Sequence, residues 1–135
     1  MPTSASGTAN EVLDGDIERL RVVSGCQVEI LLDGAMVGII VQRLELPSGV
    51  YNKPRSDLML QATVQYPASA MDMFWAEPDL LLSDGSIPAG AESMESHFGR
   101  QWRRFSWHRN AEWLPGRDDL VGHFEFAVAR LQRPQ

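Results

Sequence analysis

Apolar residues recur at helical spacing first, at Leu13, Ile17 and Leu20 with Val12 and Val23 beside them, and Ser24-Gly25 supplies a stop. This predicts a helix from Asn10 to Ser24. Gly15 inside it costs up to about 1 kcal/mol relative to alanine, so the helix depends on packing. A hairpin follows: Gln27 to Leu32, a turn at Asp33-Gly34, then Met36 to Leu46, rich in Val and Ile. Pro47-Ser48-Gly49 breaks the pattern. Asp57 to Val64 reads as a third strand ended by Tyr66-Pro67, and Met71 to Trp75 as a fourth before Pro78 interrupts. Beyond it lie a short apolar run, Leu80 to Leu82, a turn at Asp84-Gly85, and Pro88 to Phe98 as a loop or one short helix. Pro115-Gly116 is a break, and Asp118 is expected to cap a last helix with Leu120, Val121, Phe124, Ala127, Val128 and Leu131 on one face. Helices at both ends of an antiparallel meander make an α+β domain with one sheet face covered by helix.

At 135 residues the chain is long enough to bury a core without staples, and one domain over 10–133 is expected behind a disordered stretch at 1–9. No apolar run approaches the roughly 18 to 20 residues of a membrane helix, and the N-terminus lacks a basic cap with an apolar signal core. No membrane partner and a cytoplasmic location follow as expectations.

Charge changes the picture locally. The net charge of −6 opposes a nucleic-acid partner for the molecule as a whole. Yet five of the twelve basic residues are arginines between positions 100 and 117: Arg100, Arg103, Arg104, Arg109 and Arg117. They surround Trp102, Trp107 and Trp113, a concentration that suggests docking by Arg100, Trp102, Arg103 and Arg109. Single-stranded nucleic-acid binding through the same residues predicts steep salt dependence and is disfavoured by the net charge. Cys26 is the only cysteine and reads as a small buried apolar residue before a strand. His97, His108 and His123 show no metal-ligand spacing, and neither a metal nor a cofactor is expected. His97 falls in a loop, and His123 beside the apolar stripe of the last helix reads as packed.

Extended backbone at Phe105 to His108 places Phe105 and Trp107 on one face and Arg104, Ser106 and His108 on the other. A serine hydroxyl needs a base to take its proton, an imidazole with an unperturbed pKa near 6.5 can serve, and an arginine can hold a developing oxyanion. Ser106 and His108 are therefore the candidate chemistry, with Arg104 supporting. A structural serine and histidine is the plainer alternative.

Four features in fixed order carry a resemblance: Leu46-Pro47 with Tyr51, Tyr66-Pro67, Met73-Phe74-Trp75, and Trp113-Leu114-Pro115 before the last helix. Together they resemble ubiquitin-conjugating enzymes. The string from Tyr66 to Leu120, with Asp72-Met73-Phe74-Trp75, Gly99-Arg100-Gln101-Trp102 and Phe105-Ser106-Trp107-His108, is similar to a bacterial branch of that superfamily, prokaryotic family E. The resemblance implies a conjugating-enzyme-like fold and a transferase that accepts the C-terminus of a ubiquitin-like protein from an adenylating activating enzyme. It also implies a metallopeptidase encoded nearby.

The chain departs from the superfamily where Glu77-Pro78-Asp79 replaces a His-Pro-Asn step, and carboxylates repel an oxyanion. Aligned from that step, the catalytic cysteine position falls near Pro88, after Gly85-Ser86-Ile87; counted back from Trp113, it falls beside Ser106. The resemblance thus implies an oxyester on Ser106, with His108 aiding transfer and Arg104, Trp113 and Asp118 in support, while Ser86 stays open. A conjugating fold without a nucleophile, binding the modifier or the activating enzyme, is the alternative function.

Overall fold

The computed structural model describes residues 2–109 and 111–134. Its elements in chain order are β1 (Thr3–Ala5), α1 (Glu11–Ser24), β2 (Val28–Asp33), β3 (Met36–Glu45), β4 (Arg55–Thr63), β5 (Phe74–Ala76), β6 (Ser93–His97), β7 (Arg100–Phe105) and α2 (Leu120–Gln132). This is the α+β class that the periodicities predict. The predicted first helix, hairpin, third strand and last helix all form within a few residues of their expected ends. Among the described residues no helix is long and apolar enough to cross a membrane.

Asn10 starts α1 by accepting the Leu13 amide at 3.0 Å, a cap worth about 1 kcal/mol. The same side chain donates to the Val64 and Tyr66 carbonyls, which pins the helix to the end of β4. Leu13, Ile17 and Leu20 are fully buried against the sheet, as their spacing requires.

All seven strands join one antiparallel sheet in the order β1-β2-β3-β4-β5-β7-β6. The predicted four-strand meander is therefore only its middle. β1 adds an edge within the stretch expected to be disordered: Thr3 to Ala5 pair with Ile30 to Leu32, and Thr8 is buried with its hydroxyl on Asp14. The other addition is a hairpin, β6 and β7, where a loop or short helix is predicted. Its polar sequence, Ser-Met-Glu-Ser-His, shows little of the apolar alternation by which a half-buried strand is recognised.

Alternation sorts the sheet into two faces. Ile30, Ile39, Leu58, Leu60, Phe74 and Phe105 join Leu13, Ile17, Phe124 and Ala127 of the helices in the main core. Ile40, Met59, Trp75 and Trp102 form a second cluster on the opposite face, with Leu31, Met73 and Phe98 packed against it. The β6–β7 hairpin folds back over that face. Its tip residue Phe98 lies on Gly38 of β3 so closely that a Cβ there would sit 2.8 Å from the ring.

Candidate functional site

The paired motifs of the sequence meet around Tyr66. Its hydroxyl donates to Asp16 of α1 at 2.5 Å and accepts the Leu120 amide at the start of α2 at 2.7 Å. Burial, then the Asp16 carboxylate, raises the phenol pKa well above 10. The next carbonyl, of Pro67, accepts the Trp113 indole N–H at 2.8 Å. Tyr66-Pro67 and Trp113 thus form one clamp holding both helices to the end of β4.

Asp118 does not cap α2, because Asp119 does so by accepting the Gly122 amide at 2.9 Å. Asp118 instead closes the preceding loop, taking the Leu114 amide at 2.7 Å and pairing with Arg109 and Arg117. Arg117, the Leu114 amide and Arg109 together hold its carboxyl below the ordinary range.

The two alignments that diverge in sequence converge in space. The hairpin leaves the chain after residues 88–91 and returns beside them, where the Ser106 amide donates to the Gly90 carbonyl at 2.9 Å. Trp107 donates to Ala89 O, and its indole lies close enough to Gly90 that a Cβ there would be 3.3 Å away. Arg103 is buried and bridges the Ala91 and Pro78 carbonyls at 2.7 and 2.9 Å. The Pro88 region and Ser106 are therefore neighbours, and the extra segment between them is the hairpin.

Ser106 is half-buried, and its hydroxyl oxygen accepts Arg104 Nε at 2.9 Å. Arg104 also pairs with Glu95 at 2.6 Å; the other Glu95 oxygen takes the Trp75 indole at 2.9 Å and His97 Nε2 at 2.8 Å. Led by His97, these donors hold the Glu95 carboxyl below its ordinary value. Arg104 and Ser106 share a face, as alternation predicts. His108 turns to a different partner: its Nδ1 bonds Asp72 Oδ2 at 2.6 Å. Donation of Nδ1–H to the carboxylate leaves Nε2 as the basic nitrogen. The pair lines a cleft of about 200 Å³ with Met71, Arg109 and Trp113.

Beneath the cleft, buried His123 bonds the Met73 carbonyl at 2.8 Å and stacks on Phe126. Burial pushes its pKa down, and the nearby Arg109 charge adds to that.

The other candidates are spread out. Arg100 pairs with Asp57 and lies over Trp102, itself fully buried, so Arg100, Trp102, Arg103 and Arg109 are all engaged within the fold. Ser86 is exposed on the Asp84 turn and donates to Asp84 at 2.5 Å. Cys26 lies between α1 and β2, packed on the core but half-buried. His97 sits on β6 rather than in a loop. Glu77 and Asp79 hold Lys53, the only lysine; partial burial pulls its pKa down, but the two carboxylates outweigh it and the net shift is upward. Sequence reasoning missed Asp72 and Glu95 as partners. Asp72 lies 36 positions from His108 and Glu95 nine from Arg104, and the pairing of β7 with β5 and β6 brings each to its partner.

A family model described as Prokaryotic E2 family E matches residues 12–134. No curated protein and no solved structure matches the chain.

Proposed function

The chain belongs to prokaryotic E2 family E, and from that membership we propose that it carries a ubiquitin-like modifier as an oxyester on Ser106, with His108 as base and Asp72 as the residue that orients it. Membership itself gives an E2-like role in conjugation, and with it dealings with a modifier and an activating enzyme. The observation that carries the finer reading is the Asp72–His108 bond at 2.6 Å beside the segment where Ser106 meets Gly90.

In the loading step Ser106 Oγ attacks the C-terminal glycine carbonyl of the modifier, held as a thioester by the activating enzyme. The C–O bond forms, the C–S bond breaks, the thiolate leaves, and the serine proton passes to His108 Nε2, directly or through one water. Arg104 faces the reacting oxygen and offers positive charge to the oxyanion. Trp113 and Asp118 act by building the cleft. An oxyester is less reactive toward amines than a thioester, so transfer to a lysine amine relies on the same base.

Incubation with activating enzyme, modifier and ATP is expected to give an adduct that resists thiols and is cleaved by hydroxide. Ser106→Ala is expected to abolish it, whereas a thiol-labile adduct lost in Cys26→Ser overturns the assignment. Genes for an activating enzyme, a ubiquitin-like protein and a metallopeptidase are expected beside its own; their absence would favour a binding module instead.

One observation favours a second reading, a non-catalytic module that binds the modifier or the activating enzyme. Ser106 is engaged by Arg104 and His108 by Asp72, rather than each by the other. Such a module forms a complex with no covalent species.

A further inference from the structure

A chain that carries an activated carboxyl group exposes its own amines to acylation. Lys53 is the single lysine here, and the fold gives it two carboxylates. It lies in the loop between β3 and β4, and its Nζ donates to Glu77 Oε1 and, at 2.8 Å, to Asp79 Oδ1. Only 24% of the side chain is exposed.

An ordinary surface ion pair is worth little, because ordering two long side chains offsets the attraction. This one differs in that the turn bearing the carboxylates is already fixed. The second oxygen of Glu77 accepts the Asp57 amide at 2.6 Å, and the Glu77 amide donates to Ser56 Oγ at 3.2 Å. Arg103 holds the intervening Pro78 carbonyl at 2.9 Å. From the lysine's side, the Asn52 side chain donates to the Asp79 carbonyl and accepts the Leu81 amide, both at 3.0 Å. The Asp79 carboxylate is itself largely exposed, but it belongs to the same clasped turn.

We infer that the Glu77-Pro78-Asp79 turn keeps Lys53 closed to acylation, so that the chain does not conjugate the modifier to itself. Aminolysis needs a lone pair on Nζ. The attack forms a C–N bond to the modifier's terminal carbonyl carbon, breaks the bond from that carbon to the carrier's oxygen or sulfur, and passes a proton from nitrogen to the leaving atom. Bound as it is, Nζ is an ammonium with two of its three N–H groups on carboxylates, and freeing the lone pair disrupts both bonds. Partial burial alone would lower its pKa, but Asp79 and Glu77 outweigh that and the net shift is upward. The carboxylates that unfit this turn for an oxyanion suit it to an ammonium.

The inference rests on the chain carrying an activated modifier, but not on which residue carries it. Its first test needs no modifier: the full chain is treated with the N-hydroxysuccinimide ester of acetic acid and mapped by peptide mass spectrometry. Lys53 is expected to acetylate about tenfold more slowly than in the chain unfolded in urea, the equivalent of one hydrogen bond to a charged group. Val22→Lys, at a position 82% exposed on α1, supplies a reactive control. Asp79→Asn and Glu77→Gln, the latter keeping an oxygen for the Asp57 amide, should each speed acetylation of Lys53 several-fold, with urea unfolding showing that each variant folds. In the second test, with activating enzyme, modifier and ATP, Val22→Lys should gain a hydroxide-resistant isopeptide at its new lysine, and Lys53 should gain one only in the Asp79 and Glu77 variants. Folded Lys53 acetylating as fast as in urea, or no faster in either variant, overturns the inference. Slow acetylation with no covalent modifier on any variant retains the shielded amine and rejects carriage of the modifier; carriage with an isopeptide on Lys53 of the unaltered chain does the reverse.

Discussion

Tyr66 does more for the architecture than any other polar side chain near the site. Its hydroxyl is shared by Asp16 and the Leu120 amide, so Tyr66→Phe leaves a buried carboxylate and a helix-start amide each short of a partner. A loss of about 1–3 kcal/mol is expected in urea unfolding. His123 sets a pH response. Burial keeps its folded pKa below the ordinary 6.5, so the unfolded chain takes up a proton that the folded chain resists. Its contribution is fully present above about pH 6.5 and lost as the pH falls below that value. Asp79 and Glu95, with carboxyls held low, lose theirs only below their ordinary values of 3.8 and 4.5. Unfolding measured against pH should therefore show two separate declines, and His123→Gln, which keeps a donor for Met73 O without titrating, should remove the upper one alone. The sequence made His123 legible as a packed residue because it lies beside an apolar stripe. It did not reveal Asp72, which reaches His108 across 36 positions.

At the scale of elements, strong periodicity was readable and its absence misled. α1 and α2 bury one face each and read by helical spacing, while β3 and β4, buried on both faces at their centres, read by their runs of apolar residues. β6 draws its place from cross-strand contacts: Glu95 answers Trp75 and Arg104, which are distant in sequence, so no local pattern announces the strand. Capping was misplaced by one residue for a related reason. Two neighbouring aspartates each have a capping side chain, and only the Arg109 and Arg117 pairing of Asp118 decides that Asp119 takes the helix. The hairpin's attachment is testable through Gly38. Gly38→Ala forces the Phe98 ring to move, and amide exchange in β6 and β7 should accelerate while that of β2 and β4 is retained. Unchanged hairpin protection contradicts the anchoring role of Phe98.

For the molecule as a whole, the fold class and the family resemblance were carried by ordered motifs spanning most of the chain, and the clamp from Tyr66-Pro67 to Trp113 gives them a physical basis. The arginine concentration was visible too, but its meaning was not. Arg100 and Arg104 pair with Asp57 and Glu95 of other strands, and Arg109 and Arg117 with Asp118 of their own loop, although Arg100 and Arg117 stay exposed. The proposed chemistry joins separate parts of the chain. Asp72→Asn should therefore slow adduct formation by a factor on the order of a hundred or more while the urea midpoint shifts little, since Asp72 and His108 are both largely exposed. The most direct measurement is fragmentation mass spectrometry of the hydroxide-labile adduct formed with activating enzyme, modifier and ATP. The account predicts the modifier's C-terminal glycine on Ser106; its attachment to Ser86 or Cys26, or the absence of any covalent species, contradicts it.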